Sequence, residues 1–465
     1  MKELIALDLT QIEKLIESRK LTISVIGTGR IGLTTAVMFS HAGFRTIGAD
    51  INPELVKAIN SGQWPLKDEP GFEDLFDNAI KKTKLLRATT DITDAVPRSD
   101  VVILSLPTPM NSDQIPDYSA LEDVAKSLNK ILEPYSVVIV ESTVEPGFIE
   151  NTLVKIIEGD GKRLRFGKNV GVAACPETAN PGVIFQDYKK VPRLVGALDV
   201  KTEKIVSLLY RDVFDVELIE LSDCKTANAA KLTANVFRDI NIAFVNELAL
   251  LFERIGIDTF EVLRACDKKY NFETHYPGAG VGGPCLPVNS YQMLHSSNEP
   301  NGLLKIIKAA RETNEYMPYH TVDLLIDGLN EAGKSVKNSV VSVLGLSYKP
   351  DVRGSQNSPA ESIISRIAQL GGRIKIYDPY FKSTTVFSHN TEGNLTDAVN
   401  DADAVVLATA HREFRDMDPN WLASQMRKKE VSSCRPVMVD GRGIFDRHAA
   451  KKAGFIFRGV GRGGG

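Results

Sequence analysis

The sequence predicts an α/β protein whose two ends each carry a parallel sheet, joined by a helical region that contains one long helix. Three observations carry that prediction. A strand pattern at residues 21–26 runs straight into Gly27-Thr28-Gly29-Arg30-Ile31-Gly32, and a helical pattern follows over 33–42. Late in the chain the pattern begins again. Residues 339–344 read as a strand entering a loop at Gly345, residues 373–377 as a strand ending in Asp378, and the spacing Asp94, Val96, Asp100, Val102 recurs as Asp397, Val399, Asp403, Val405. Between these halves lie the longest helical patterns, from Asp223 to Ile255 and over 302–332. Strands alternating with helices pack as a parallel sheet covered on both faces, so two Rossmann-like domains flank a helical middle. The expected boundaries are an N-terminal helix over 1–20, a dinucleotide-binding domain over 21–210, a helical region over 211–332 and a second sheet domain over 333–465.

Composition narrows the function. At 465 residues the chain is long enough for two or three domains, each with its own core. A formal net charge of -3 offers no electrostatic attraction for nucleic acid or an anionic membrane. The five cysteines, Cys175, Cys224, Cys266, Cys285 and Cys434, are odd in number and widely spaced, which suggests neither a disulfide framework nor a zinc site, and no metal is expected. That usage fits a reducing, cytoplasmic setting. Leu4, Ile5, Leu7, Ile12, Leu15 and Ile16 recur at helical intervals among Glu3, Asp8, Glu13 and Glu17, so the first residues read as an amphipathic helix and not a signal peptide. No later stretch approaches the ~20 apolar residues of a membrane span.

Strand, Gly-x-Gly-x-x-Gly, helix is the context in which glycines permit a tight turn, close approach to a pyrophosphate and close helix packing. The next strand, 45–49, ends at Asp50, 18 residues beyond Gly32. A carboxylate there accepts hydrogen bonds from a ribose 2′-hydroxyl and repels a 2′-phosphate. The expected cofactor is therefore NAD rather than NADP, held by Gly27, Gly29, Arg30, Ile31, Gly32 and Asp50. Two further strands, 100–106 and 137–140, are separated by a helix over 119–132. They end near Thr108 and Thr143, at the carboxyl edge where parallel sheets bind ligands, and both join the cofactor set. Taken singly, such Ser and Thr residues are more often helix caps. A short strand over 172–175 leads to Pro176-Glu177, where Glu177 by itself reads as a solvated loop acid.

On the long helix, Leu232, Val236, Ile240, Phe244, Leu248, Leu251 and Ile255 form a stripe. Its apolar residues spread beyond one face, as in a helix buried between two domains or two subunits. Lys231 and Asn235 lie four apart and share a side, with Ala230, Leu232 and Ala234 around them. Either a solvated surface or a site position fits them equally. Four glycines stand in the seven positions before Cys285, among them Gly282 and Gly283, in a loop that presents a thiol. Sulfur attacks aldehydes and esters once near ionisation; the plain alternative is a glycine-rich turn with a buried cysteine. The second half lacks Gly-x-Gly-x-x-Gly, so no second dinucleotide is expected there. Its Tyr348-Lys349-Pro350-Asp351 and Asp440-Gly441-Arg442 offer cations at sheet edges, suited to phosphate but also readable as solvated charges. The tail, 458–465, has no core residue beyond Val460 and is expected to fray.

Taken together, the Gly27–Gly32 motif with Asp50, Glu141-Ser-Thr-Val-Glu-Pro-Gly147, Cys175-Pro-Glu177, Lys231 with Asn235, Gly-Val-Gly-Gly-Pro-Cys285-Leu-Pro and Tyr348-Lys349-Pro350 resemble the UDP-glucose/GDP-mannose dehydrogenase family over residues 21–442. The resemblance implies NAD as cofactor, a UDP-sugar as substrate bound by the C-terminal domain, and a helical region that forms a homodimer or higher homo-oligomer. It implies a four-electron oxidation of a primary alcohol, in which Cys285 carries a thiohemiacetal and then a thioester, Lys231 and Asn235 stabilise developing oxyanions, and Glu177 positions or deprotonates water. The branch acting on UDP-N-acetylmannosamine or UDP-N-acetylglucosamine looks nearer than the UDP-glucose branch, because Thr178-Ala-Asn-Pro181-Gly182 follows Glu177 where the latter has Phe-Leu and a further acid. Three residues depart from the family: Asn289 where Asp is usual, Gln356 where Arg is usual, and Pro284 where the N-acetylhexosamine branch favours His. Asn289 cannot act as a base. Three other readings follow: a UDP-glucose 6-dehydrogenase with a diverged specificity loop, an impaired nucleotide-sugar binding protein, or a two-electron hydroxyacid dehydrogenase that would leave Cys285 idle.

Overall fold

The computed structural model describes residues 3–111, 113–297, 303–426 and 435–463, so Cys434 and the end of the tail lie outside the described residues. The chain divides into two units, Met1–Ala234 with Tyr291–Pro300, and Asn235–Ser290 with Asn301–Gly465.

The first unit opens on a single turn, Leu4–Ala6, and a helix, Leu9–Glu17, whose start is fixed by a capping box between Asp8 and Gln11. Eight strands follow: β1 (Thr22–Ile26), β2 (Arg45–Ala49), β3 (Leu86–Thr89), β4 (Val101–Leu104), β5 (Val137–Val140), β6 (Gly171–Ala174), β7 (Arg193–Ala197) and β8 (Leu218–Leu221). They lie in the order β3-β2-β1-β4-β5-β6-β7-β8. Val101 and Ile103 enter one core with Ile23 and Phe39, whereas Val102 and Leu104 enter a second with Leu121 and Val138. Successive strand residues face opposite ways, so near-continuous Val/Ile/Leu runs are what a sheet buried on both faces requires. All pairings are parallel except β6 with β7. The sequence reading names neither β3, β7 nor β8; β3 alternates apolar and polar residues but over only four positions, and β7 and β8 show no such alternation.

The second unit holds β9 (Val340–Leu344), β10 (Arg373–Tyr377), a two-stranded ribbon of β11 (Thr385–Val386) and β12 (His389–Asn390), then β13 (Ala404–Leu407), β14 (Val437–Asp440) and β15 (Ile456–Gly459). Its main sheet runs β10-β9-β13-β14-β15, all parallel. The sequence echo is a structural one. Asp100 accepts the backbone N–H of Thr22 at 2.9 Å, and Asp403 accepts that of Val340 at 2.8 Å, so each acid ties the start of its own strand to the start of the central strand.

The helix Cys224–Ile255 begins in the first unit and continues into the second, which also contains Lys305–Glu331. The tail corrects one expectation. Ile456–Gly459 pairs with β14, Val460 is buried, Gly463 donates to Ile257 O, and the Arg462 guanidinium lies on Asp258 at 2.9 Å and over the Phe260 ring. A counted lack of apolar side chains misjudged a segment held by backbone pairing and one arginine.

Candidate active site

In the first unit the glycine turn is shaped for a dinucleotide. Gly27 sits at φ +88° and donates to Ala49 O at 2.8 Å, while a Cβ on Gly32 would fall 1.8 Å from Gly27 O, so no side chain fits there. A Cβ on Gly29 would meet nothing within 4 Å, which leaves open space beside the turn. Gly29 also caps the helix Arg30–His41 without a side-chain bond, so the first N–H groups of that helix are not satisfied by a capping side chain. Open space at an uncapped helix N-terminus fits a pyrophosphate. Asp50 stands at the end of β2, where its Oδ2 accepts Thr28 N–H at 2.8 Å and Oδ1 accepts Asn52 N–H at 3.0 Å. These bonds fix the carboxylate beside the glycine turn.

The other residues expected around the cofactor are placed as follows. Arg30 turns its guanidinium onto Asp68 at 2.7 Å and onto Glu69, and Glu69 accepts the N–H of Gly182 at 2.6 Å. Arg30 therefore fastens the turn to the loop after Pro181, a task within the protein. Ile31 is half-buried beside it. At the carboxyl ends of β4 and β5, Thr108 Oγ1 donates to Thr143 O at 2.9 Å, and Gln292 Nε2 donates to the same carbonyl at 3.1 Å.

Glu177 is buried. Its Oε1 accepts the N–H groups of Thr178 and Ala179, both at 2.7 Å, and its Oε2 lies 2.8 Å from Nη2 of Arg193. Arg193 is 3% exposed and also faces Glu141 at 3.6 Å, with the Phe214 ring 3.7 Å beneath its guanidinium carbon. One buried cation thus faces two buried carboxylates. Burial pushes the Glu141 carboxyl up to about 7, with Arg193 opposing the shift and Glu177 adding to it. Neither Arg193 nor Glu141 is singled out by the sequence reading as a functional residue. An arginine opening a strand pattern has no periodic signature, and only the fold shows that it is inside.

In the second unit Cys285 is exposed, at the start of the helix Leu286–Ser296, where Asn289 N–H closes the first turn on Cys285 O at 2.8 Å. Helix N-termini favour negative charge, which suits an oxyanion formed at the sulfur. Asn235 Nδ2 donates to Asn289 Oδ1 at 2.5 Å. Lys231 lies one helical turn before Asn235 on Cys224–Ile255 and is buried. The peptide of Gly283 is gripped from both sides: its N–H donates to Gln356 O at 3.0 Å and its O accepts Asn357 Nδ2 at 3.2 Å. Gly283 has φ +98°, and a Cβ there would come within 2.7 Å of the Tyr348 ring, next to Lys349. A Cβ on Gly282 would strike Asn357 O at 2.4 Å. At the other end of the loop a Cβ on Gly278 would fall 2.8 Å from Arg442 Nη1, and Ala279 N–H donates to Gly441 O at 2.8 Å. The glycines are thus where the thiol loop lies against the two loops that carry Lys349 and Arg442. Burial pulls Arg442 down to about 10, against the pull of Asp440, and such a cation gains from an anionic ligand. In the same half, Asp378 holds the place at the end of β10 that Asp50 holds at the end of β2, but its Oδ2 is taken up by Leu346 N–H, Ser347 N–H and His411 Nε2. No Gly-x-Gly-x-x-Gly precedes it, which is the reason one dinucleotide is expected and not two.

The first sheet with its glycine turn and Asp50 defines an NAD-dependent dehydrogenase. Comparison with known proteins is specific: residues 21–214 match the NAD binding domain, 225–316 the central domain and 342–447 the UDP binding domain of the UDP-glucose/GDP-mannose dehydrogenase family. The chain belongs to that family. A UDP-N-acetyl-D-mannosamine dehydrogenase of Pyrococcus horikoshii is 35% identical over 95% of this chain and 99% of its own. The solved structure of the UDP-D-ManNAc dehydrogenase of that organism superposes with TM-score 0.86 at 34% identity, covering 96% of this chain and all of that one. An NDP-N-acetyl-D-galactosaminuronic acid dehydrogenase of Methanosarcina mazei (TM-score 0.81, 29% identity, 98% and 99% coverage) and a UDP-glucose dehydrogenase of Pyrobaculum islandicum (0.81, 26%, 95% and 98%) are also similar. The protein is therefore an NAD-dependent nucleotide-sugar dehydrogenase, and among the described residues no helix is long and apolar enough to cross a membrane. Among them, too, no group of three His, Cys, Asp or Glu is placed to hold a metal.

Proposed function

We propose that the protein oxidises the C6 hydroxyl of UDP-N-acetyl-D-mannosamine to the carboxylate, in four electrons, through a covalent adduct on Cys285. The observation that carries the reading is the exposed Cys285 thiol on a loop packed against the segments bearing Lys349 and Arg442, with the Asn235–Asn289 pair at its helical end. The relatives named for N-acetylhexosamine substrates support the choice of sugar. Bound NAD supplies a two-electron acceptor, so two NAD molecules are consumed per sugar.

The first oxidation gives an aldehyde. Cys285 Sγ then bonds to the carbonyl carbon as a proton passes to the oxygen, giving a thiohemiacetal; loss of a hydride to NAD and of the hydroxyl proton gives a thioester; and water cleaves the C–S bond, releasing the uronate and restoring the thiol. Lys231 and Asn235 receive the negative oxygen of each tetrahedral step. Asn289, whose carbonyl accepts from Asn235, orients that amide. Glu177 positions the water: a carboxylate has about four acceptor sites, and the contacts to Thr178, Ala179 and Arg193 leave room for one more. Lys349 and Arg442 hold the diphosphate end of the substrate, and Gly282 and Gly283 let the thiol loop lie against the segments that carry them. The glycine turn, Asp50, Thr108 and Thr143 hold NAD, with Arg30 and Ile31 shaping the turn.

The functional protein is a homodimer or higher homo-oligomer. Phe237, Phe244 and Leu251 recur every seven residues on Cys224–Ile255 and, with Ile255, remain 48–58% exposed, a row that a second copy would cover. Its setting is reducing and cytoplasmic, consistent with free Cys175, Cys224, Cys266 and Cys285. The deciding assay is NADH yield across a panel of UDP-sugars. Two NADH per UDP-N-acetyl-D-mannosamine is the expected result; preference for UDP-glucose would reassign the sugar, one NADH would remove the covalent mechanism, and binding without NADH would mark an impaired protein.

A further inference from the structure

Four residues after Asn235 on the long helix stands Asp239, fully buried. Its Oδ2 accepts the hydroxyl of Ser290 at 2.7 Å, and its Oδ1 accepts Arg311 Nη1 and Asn314 Nδ2, both at 2.8 Å. Asn314 Oδ1 in turn accepts Asn246 Nδ2 at 2.9 Å, and Asn246 Oδ1 accepts the N–H of Gly278 at 2.9 Å. All of these side chains are buried. Residue 278 begins the loop that carries Cys285 and residue 290 lies on the helix that follows it, so one carboxylate is linked to both sides of the thiol. The pairs Asn235–Asn289 and Asp239–Ser290 are successive rungs between the same two helices, one helical turn apart on the first and one residue apart on the second.

Stability alone is a weak reason for this arrangement. A buried ion pair such as Asp239–Arg311 roughly balances its desolvation cost, and apolar side chains of similar volume often do as well. What a buried polar network of this kind provides beyond that is a defined geometry. We infer that Asp239 is a positioning residue for the reaction: through Ser290 at one end and Arg311, Asn314 and Asn246 at the other, it fixes the loop that holds Cys285 and the register of the Asn235–Asn289 contact. The inference rests on the covalent role proposed for Cys285.

The test uses the full chain with NAD and UDP-N-acetyl-D-mannosamine, comparing native protein with Ser290→Ala, Ser290→Thr and Asp239→Asn below their thermal midpoints. Misplacing a reacting atom by about 1 Å costs on the order of 100-fold, so Ser290→Ala should lose roughly 10- to 100-fold in kcat with both KM values close to native. With a hydrazine present to trap free aldehyde, its NADH yield should fall from two towards one per sugar, because the first oxidation does not need the sulfur. Ser290→Thr keeps the hydroxyl and should restore the yield. Native kcat and yield in Ser290→Ala and Asp239→Asn would overturn the inference, as would a loss of activity that follows the thermal midpoint with the yield held at two. Alkylation of Cys285 by iodoacetamide, read on its own peptide, separates this from failure of the covalent reading. If native protein gives no second NADH, the covalent reading falls; an alkylation rate at Cys285 unchanged by Ser290→Ala still overturns the positioning, and an increased rate upholds it.

Discussion

Asn235 Nδ2 donates to Asn289 Oδ1 at 2.5 Å, across 54 residues of sequence, at the position where the family usually carries an acid. The amide oxygen of Asn289 does the accepting that a carboxylate oxygen would do. What it cannot do is take up a proton from water. Asn289→Asp should therefore preserve the contact and the thermal midpoint while holding or raising the rate of thioester hydrolysis, measured by single-turnover release of uronate. Asn235→Ala should lower kcat by about 100-fold or more, as loss of one oxyanion donor does elsewhere, with little change in thermal midpoint. Unfolding without a catalytic defect in the remaining soluble protein would return Asn235 to a structural role.

Cys285→Ser leaves a side chain of nearly the same size at an exposed position, so NAD and UDP-sugar binding should stay close to native. Its weaker nucleophile should stall the reaction after the first oxidation or leave a slowly hydrolysed ester, visible as added uronosyl nucleotide by mass spectrometry. Full two-NADH turnover by Cys285→Ala would end the covalent mechanism.

Asp50→Ala removes an acceptor and a negative charge together. Hydrogen bonds to charged groups are worth about 1.5–3 kcal/mol, so KM for NAD should rise roughly 10- to 100-fold, and NADP should be penalised far less. Steady-state kinetics with both cofactors give the answer; an unchanged preference would take Asp50 out of the site. The variant also leaves Thr28 N–H without its partner, so the thermal midpoint should be recorded beside the kinetics.

The Arg193 cluster makes a prediction about pH. Burial raises the Glu141 carboxyl from an ordinary 4.5 to about 7, so over that interval the folded chain binds a proton that the unfolded chain releases. Its contribution to stability is then complete below about pH 4.5 and is lost as pH rises through about 7. Each unit of separation is worth about 1.4 kcal/mol. Glu141→Gln keeps the shape and removes the titration. Its thermal midpoint should vary less than native between pH 5 and 7 and exceed native above pH 7. An equally steep native-like profile in the variant would assign the pH dependence elsewhere.

The exposed row on Cys224–Ile255 predicts an association defect. Phe244→Asp with Leu251→Asp places like charges where a second copy would bury apolar surface. Light scattering should show the oligomer reduced to monomer at micromolar concentration, and an oligomer unchanged in size would move the interface off this helix.

By itself the sequence determined what short-range pattern can determine. The glycine turn required by its φ and by the helix behind it, the acid at the end of the second strand, the paired acids Asp100 and Asp403 that begin equivalent strands, and a glycine loop presenting one cysteine were all readable from spacing, since each is a demand that neighbouring residues make on one another. Only the tertiary structure decided which buried polar groups became partners. Arg193 lies between Glu141 and Glu177, Arg30 on Asp68 and Glu69, Asp239 between Ser290 and Arg311, and Arg462 on Asp258, across separations of up to 204 residues. A charged side chain carries no periodicity that names its partner. The choice is made when packing removes water and each buried charge must find its opposite within hydrogen-bond reach, which is a property of the closed interior and not of any stretch of chain.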